Sequence, residues 1–330
     1  GRSIVSTEGV RSFTSTRASL GRSRAETVPW SLLAALVLTI GGAVPTPATE
    51  VPFEGQLVAA GGSPVGVTSA DLDRDGDLDL VVAWYSDDTV SWLENPYGEG
   101  TAWTAHTIYD SAAGAKSVAL ADLDGDGDLD LVSAAANDNS IRWHENVGGA
   151  PPTFGSTPTV LTATATSAKD VSTGDLDGDG DIDVVSCSTD DDEVAWYEND
   201  GAPTPTFTKR VLLHDGPHPA PDLADSPSAL DVVDVNGDGR LDILWSSMND
   251  DRIGWLANGG GSPPSFTAQV VSEGQPDIPR DVSGADIDGD GDVDILACGF
   301  SGYTVWWFRN DDGTGTLWTG VNIASGTYPS

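Results

Sequence analysis

Aspartate is the residue type that gives this sequence its most evident chemistry. Five segments of nine residues carry Asp or Asn at the first, third and fifth positions, Gly at the sixth and Asp at the ninth. They span residues 71–79, 122–130, 175–183, 234–242 and 286–294. Alternate side chains of a tight loop converge on one point, and Gly at the sixth position permits the positive φ of such a turn. The pattern predicts a cage of oxygen atoms in each loop.

These loops are predicted to bind calcium, because hard oxygen ligands in an anionic, flexible loop favour Ca²⁺ over the softer transition metals. We expect the first, third, fifth and ninth side chains to be ligands, whereas the seventh residue supplies only its backbone carbonyl oxygen. The predicted ligands of the five loops are Asp71, Asp73, Asp75, Asp77 and Asp79; Asp122, Asp124, Asp126, Asp128 and Asp130; Asp175, Asp177, Asp179, Asp181 and Asp183; Asp234, Asn236, Asp238, Arg240 and Asp242; and Asp286, Asp288, Asp290, Asp292 and Asp294. Arg240 is compatible with ligation by a carbonyl and incompatible with ligation by a side chain.

Two other kinds of calcium loop do not fit, and acidic turns without a metal are the remaining alternative. An EF-hand needs an acid at its twelfth position and two flanking helices. The twelfth positions here are Val82, Ser133, Ser186, Trp245 and Ala297. Glycine-rich calcium rolls repeat every nine residues, whereas these loops begin 51, 53, 59 and 52 residues apart.

Each loop opens a repeat of about 50 residues. A Trp lies 21 residues after the first acid of every loop, and an Asn lies 24 residues after it. Short β-branched segments precede and follow each loop, as in Ser117–Ala121 and Ile182–Cys187, and a Trp-bearing segment and a fourth segment come next. Four short strands per repeat predict an all-β fold, a β-propeller of four-stranded blades with five repeats visible.

The combination of an Asp-x-Asp-x-Asp-Gly-x-x-Asp loop between two strands with a following Trp-x-Glu-Asn segment resembles the FG-GAP/VCBS repeat. That family builds the propeller of integrin α chains and of many bacterial exported proteins. The resemblance covers the chain from about residue 53 to the end. It implies a propeller, usually of seven blades, with calcium in loops outside the central ligand face. The five repeats are therefore either a fragment of a seven-bladed ring or a five-bladed ring with an extra edge strand. It implies no single activity, since the fold hosts lectins, adhesins and polysaccharide-cleaving enzymes.

The first 48 residues are expected to form a separate leader, which gives two parts, 1–48 and 49–330. An apolar run of 14 residues at 31–44 is too short to span a bilayer but fits a signal peptide. We therefore expect an exported bacterial protein, secreted or at the cell surface, with no stable membrane span in the mature chain.

The charge balance excludes some partners. The chain carries 52 acidic and 15 basic residues, a net charge of −37, which disfavours nucleic acids because phosphate contacts need clustered Lys and Arg. Only Cys187 and Cys298 are present, so a disulfide scaffold is excluded, and both are expected to be unpaired buried thiols.

Catalytic groups are few, so we expect a binding or adhesion module for carbohydrate or protein ligands rather than an enzyme. His106 and His144 are expected on strand surfaces, and His214 and His218 fall in a long Pro-rich insertion. The lysines Lys116, Lys169 and Lys209 show no cluster in the sequence. Two alternatives stay open: a propeller-type polysaccharide lyase or hydrolase acting on an acidic glycan, and a structural spacer of a larger surface protein.

Overall fold

A computed structural model describes residues 58–59, 61–100, 102–214 and 224–326. The expected leader at 1–48 and the insertion residue His218 lie outside this range. The described part contains twenty β-strands and no helix, and hence no helix long and apolar enough to cross a bilayer.

The strands form five antiparallel sheets of four strands each, in chain order within every sheet. Blade 1 contains β1 (Pro64–Ala70), β2 (Asp79–Trp84), β3 (Thr89–Glu94) and β4 (Thr104–Tyr109). Blade 2 contains β5 (Ala115–Ala121), β6 (Asp130–Ala135), β7 (Ser140–His144) and β8 (Thr159–Thr162). Blade 3 contains β9 (Ala168–Gly174), β10 (Asp183–Ser188), β11 (Glu193–Asn199) and β12 (Phe207–Leu213). Blade 4 contains β13 (Pro227–Val233), β14 (Asp242–Ser247), β15 (Arg252–Gly261) and β16 (Pro264–Glu273). Blade 5 contains β17 (Pro279–Ala285), β18 (Asp294–Gly299), β19 (Thr304–Asn310) and β20 (Trp318–Ser325).

The predicted β-propeller of four-stranded blades is thereby confirmed. Every acidic loop connects the first strand of a blade to the second, and the ninth Asp of the loop is the first residue of the second strand. The Trp that follows at fixed distance lies on the third strand, and the Asn lies on it or within two residues of its end. The unit of constant length is therefore the loop with the second and third strands.

Apolar cores lie between consecutive blades, so both faces of an inner sheet are buried. Val81 and Ala83 of β2 pack against Leu131 and Ala135 of β6 in the core between blades 1 and 2. Three further cores join blades 2 to 3, 3 to 4 and 4 to 5. The repeated Trp has the packing role expected of it: Trp92, Trp143, Trp196 and Trp255 are buried, and Trp307 is half-buried.

The first strands of all five blades line a common cavity of about 510 Å³. Because the acidic loops follow the last residues of these inner strands, all five loops lie at one end of the cavity. The first residues of the inner strands lie at the opposite end, beside the turns between second and third strands. The acidic loops therefore lie at one rim of the central cavity, and the first residues of the inner strands lie at the opposite rim.

Candidate functional site

Four of the five acidic loops bring three carboxylates together. One oxygen from each of the first, third and fifth aspartates lies within 4.8 Å of the others. The four groups are Asp71, Asp73 and Asp75; Asp122, Asp124 and Asp126; Asp175, Asp177 and Asp179; and Asp286, Asp288 and Asp290. Each group could hold a metal ion, and the oxygen-only donor set is the type that hard cations prefer.

Hydrogen bonds from the backbone of the loop itself hold these carboxylates in place. In the second loop the N–H of Asp126 donates to Asp124 (3.1 Å), and the N–H of Gly127 donates to Asp122 (3.0 Å). Gly127 has a φ of 95°, so the sixth position adopts the left-handed conformation expected of it. The same bonds to the first and third side chains recur in the first loop.

The close approach of the carboxylates in each loop disfavours their ionised form. Burial raises the pKa of Asp122 and Asp124, and the neighbouring carboxylate charges raise it further. A raised pKa means that the ionised form is disfavoured. A bound cation relieves both the desolvation and the repulsion between the charges.

The ninth aspartate connects the loop to the blade. Asp183 accepts the N–H of Leu176 (3.0 Å) and the N–H of Asn199 (2.8 Å), and burial raises its pKa to about 7. The other members accept the equivalent pair of bonds; these are Asp79, Asp130, Asp242 and Asp294. None belongs to the converging groups of three, so direct ligation by the ninth position stays a prediction.

The seventh side chain points away from the loop centre, toward a glycine in the turn after the third strand. A Cβ on Gly201 would lie 1.9 Å from a carboxylate oxygen of Asp181. Gly98, Gly148 and Gly313 stand in the same relation to Asp77, Asp128 and Asp292. This orientation is the one that ligation through the backbone carbonyl requires.

The fourth loop keeps the shape of the others with a weaker charge. Asn236 and Asp234 accept the N–H of Asp238 at 3.0 and 3.1 Å, so the amide oxygen takes the place of a carboxylate. The guanidinium of Arg240 contacts the carboxylate of Asp238 and donates to the carbonyl of Asn258 (2.7 Å). Arg240 therefore competes with a cation for the fifth-position ligand.

The asparagine near the end of the third strand joins blades 3, 4 and 5 each to the preceding blade, a role that was not predicted from the sequence. The Asn199 side chain donates to the carbonyls of Ile182 in its own loop (2.9 Å) and Leu123 in the preceding loop (2.8 Å). Asn258 and Asn310 make the same two bonds in blades 4 and 5. Its constant distance from the loop is the signal from which this role could have been inferred.

A second set of functional candidates lies at the other end of the cavity. Lys116, Lys169 and Arg280 each occupy the second residue of an inner strand and line the cavity. The expectation that the lysines form no cluster was wrong for Lys116 and Lys169. The signal was present in the sequence, because each of the three cations lies six residues before the first acid of its loop.

The remaining histidine and cysteine predictions have mixed outcomes. His144 is buried rather than on a strand surface: its Nε2 lies 2.9 Å from the Ser133 hydroxyl, and burial lowers its pKa to about 3. His106 is half-buried, stacked on Trp92 at 4.4 Å. Cys187 is buried and Cys298 half-buried, and both are free thiols, as expected.

These repeats define the class of protein. A family model described as an FG-GAP-like repeat matches residues 71–133, 132–186, 175–245 and 234–297. The chain therefore belongs to the FG-GAP repeat family. No curated protein matches the sequence.

Solved structures share the fold at low sequence identity. A protein from Lactobacillus plantarum is 15% identical, with a TM-score of 0.53 over 81% of this chain and 73% of that one. The nidogen/laminin complex is 12% identical, with a TM-score of 0.50 over 79% of each chain. The periplasmic gluconolactonase of Pseudomonas aeruginosa is 18% identical, with a TM-score of 0.50 over 79% of this chain and 71% of that one. These likenesses show the propeller architecture alone.

Proposed function

We propose that this protein is an exported calcium-binding propeller that acts, without catalysis, as a binding or adhesion module for carbohydrate or protein ligands. The observation that carries the proposal is the convergence of three carboxylates at the same place in four blades. Calcium is the cation that such flexible, oxygen-only, anionic loops favour. Extracellular modules use calcium of this kind because the ion is abundant outside cells, which supports the proposed location.

Calcium in these loops would have a structural effect. The first, third and fifth residues would hold the ion, and its charge would offset the repulsion among them. Each loop also contributes a carbonyl oxygen to the network around the ninth aspartate and the asparagine. A filled loop thereby stiffens the junction between two blades, and this supports a rigid surface at the opposite rim for a ligand.

Glycan-array binding with and without Ca²⁺, alongside a screen against extracellular matrix proteins, tests the binding role. The proposal predicts that the calcium-loaded protein retains a defined ligand and that chelation weakens the retention. Absence of any ligand in both screens would favour the structural spacer instead.

A second function, cleavage of an acidic polysaccharide, is supported by one observation. Lys116 and Lys169 face the same cavity, and the Lys116 ammonium lies 3.9 Å from the centre of the Tyr85 ring. Burial lowers the pKa of both lysines, and a Lys with a lowered pKa can act as a proton acceptor. A depolymerisation assay on uronate-containing polysaccharides distinguishes this function from binding alone: new reducing ends or unsaturated products indicate an enzyme.

A further inference from the structure

The basic residues of the propeller divide into two groups by their partners. Ten Lys and Arg residues lie between residues 51 and 330, all of them in the described part of the chain. Seven of them form ion pairs: Arg74, Arg142, Lys209, Arg210, Arg240, Arg252 and Arg309. Lys116, Lys169 and Arg280 are in none of the ion pairs of the described residues.

The three cations without an ion pair share one place in the fold. Each is the second residue of an inner strand, in blades 2, 3 and 5, and the corresponding residues of blades 1 and 4 are Val65 and Ser228. All five residues line the central cavity. In a chain with a net charge of −37, the collection at one rim of all three described cations that lack an ion pair is not expected of residues that serve only solubility.

The charges are close enough to act on one another. Burial lowers the pKa of Lys116, and the charges of Lys169 and Arg280 lower it further. The pKa of Lys169 is lowered by burial and by Arg280. An anion placed among the three side chains would relieve this mutual repulsion.

The two carboxylates that line the same cavity, Asp170 and Asp281, accept hydrogen bonds from the strands, and the charge of Asp170 also acts on Lys169. Asp170 accepts hydrogen bonds from the Ser117 hydroxyl (2.5 Å) and the N–H of Leu230 (2.8 Å). Asp281 accepts the N–H of Val282 (3.0 Å). The lining therefore contains three cations and two carboxylates, and the carboxylates accept hydrogen bonds from the strands.

Aromatic rings lie beside Arg280 on this rim. The Arg280 guanidinium lies 5.1 Å from the centre of the Phe300 ring, and Phe300 packs edge-on against Tyr303 at 6.2 Å. Phe300 is 50% exposed and Tyr303 is 39% exposed. Exposed aromatic faces beside charged groups are suited to the apolar faces of sugar rings, whereas inorganic anions gain nothing from them.

We propose that the rim formed by Lys116, Lys169 and Arg280 is a binding site for an acidic saccharide, whose carboxylate or sulfate group enters the central cavity while a sugar ring contacts Phe300 and Tyr303. The inference rests on the proposed function and specifies its ligand class and its site. The site lies at the end of the cavity opposite the acidic loops, so their charge and the ligand's charge are kept apart.

Isothermal titration of the calcium-saturated protein with tetragalacturonic acid tests the site. Four comparison ligands are used: a neutral tetrasaccharide, a glutamate tetrapeptide, sodium sulfate and sodium phosphate. We expect measurable binding of the acidic saccharide and at least tenfold weaker binding of each comparison ligand. Lys169→Gln and Arg280→Gln should each weaken acidic saccharide binding at least tenfold, because a charge-assisted hydrogen bond is lost. Lys169→Arg should retain most of the binding.

Arg309→Gln is the matched control, because it removes one positive charge from an exposed ion pair with Asp311 on blade 5 and should leave binding unchanged. Thermal unfolding of every variant identifies any that do not fold, and the ligand comparison on the unaltered protein needs no variant. Three results would overturn the proposed site. The first is equal binding of neutral and acidic saccharides, and the second is tighter binding of the peptide or of the inorganic ions. The third is equal affinity of Arg280→Gln and Arg309→Gln for the acidic saccharide. If the acidic saccharide fails to bind while chelation still lowers the melting temperature and another ligand is retained on the arrays, this inference falls and the proposed function stands.

Discussion

The side-chain amide of Asn199 donates to the backbone carbonyl of Leu123, 2.8 Å away and 76 residues earlier in the chain. This bond joins the end of the third strand of blade 3 to the acidic loop of blade 2. The same amide also donates to Ile182 at 2.9 Å, so one side chain satisfies two buried carbonyl oxygens. The acidic loops and the junctions between blades are therefore parts of one hydrogen-bonded network.

Asn199→Ala should lower the free energy of unfolding by about 2–4 kcal/mol, because two carbonyl groups lose their donor at a cost of about 1–2 kcal/mol each. Asn95→Ala is the matched control, since the Asn95 amide donates to Leu78 of its own loop (3.2 Å) and to no second blade among the described residues. Urea denaturation of both variants in saturating calcium measures the difference. Equal losses in the two variants would show that the bond between blades contributes nothing.

Gly201→Ala should destabilise the protein more than Gly274→Ala. Both glycines have positive φ, 64° and 78°, so each substitution carries a backbone cost of about 1 kcal/mol. A Cβ on Gly201 also collides with Asp181, whereas nothing lies within 4 Å of a Cβ on Gly274. Calorimetric melting of the two variants provides the comparison, and a greater loss in Gly274→Ala contradicts the described position of Asp181.

His144 should make the protein sensitive to mild acid. Burial lowers its pKa from 6.5 to about 3, so the folded state holds the neutral imidazole. Above pH 6.5 the imidazole is neutral in the folded and the unfolded state alike, and the free energy of unfolding is at its full value. As the pH falls from 6.5 toward 3, the unfolded state takes up a proton that the folded state does not, so the free energy of unfolding falls. At pH 5 the loss is about 2 kcal/mol relative to pH 8.

His144→Gln removes this titration while retaining a hydrogen-bonding group for Ser133. Urea denaturation of both proteins at pH 8 and pH 5, in saturating calcium, isolates the effect of the imidazole. The difference in unfolding free energy between the two proteins should shift by about 2 kcal/mol in favour of the variant on going to pH 5. A difference that is independent of pH would mean that the imidazole is not buried as described.

The fourth loop should bind calcium most weakly. It has one carboxylate fewer among the predicted side-chain ligands, since Asn236 holds the third position, and Arg240 contacts the carboxylate of Asp238. Arg240→Asp should raise the number of tight sites by one in a calcium titration. Arg252→Asp, at the start of β15 and outside the loop, is the charge-matched control. An unchanged number of tight sites in Arg240→Asp argues against competition by the guanidinium.

The blade could be predicted from the sequence because the residues that define it lie close together in the chain. The loop, the Trp and the Asn keep constant spacing, and the short β-branched segments between them correspond to the strands that the structure contains. His144 was misplaced because alternation along a strand indicates exposure only where one face of the sheet meets water. In this propeller Val132, Trp143 and Ala134 lie in one interblade core while Leu131 lies in another, so both faces are buried.

The rim of cations was harder to predict because its members come from blades 2, 3 and 5. Lys116, Lys169 and Arg280 are 53 and 111 residues apart in the chain, and only the curvature of the ring brings the inner strands together. The contact of Asn199 with Leu123 depends on the same arrangement. Such long-range contacts depend on which blades are neighbours. The sequence of a single repeat does not contain that information.

The five aspartate loops are proposed to bind calcium and thereby to stabilise the propeller. Thermal unfolding after exhaustive treatment with chelator, followed by stepwise return of Ca²⁺, measures this directly. At a free calcium concentration of 100 times its dissociation constant, each site should add about 2.7 kcal/mol to the free energy of unfolding. We expect a saturable rise in melting temperature that magnesium at the same concentration does not reproduce. A melting temperature that stays constant from metal-free to calcium-saturated solution would contradict it.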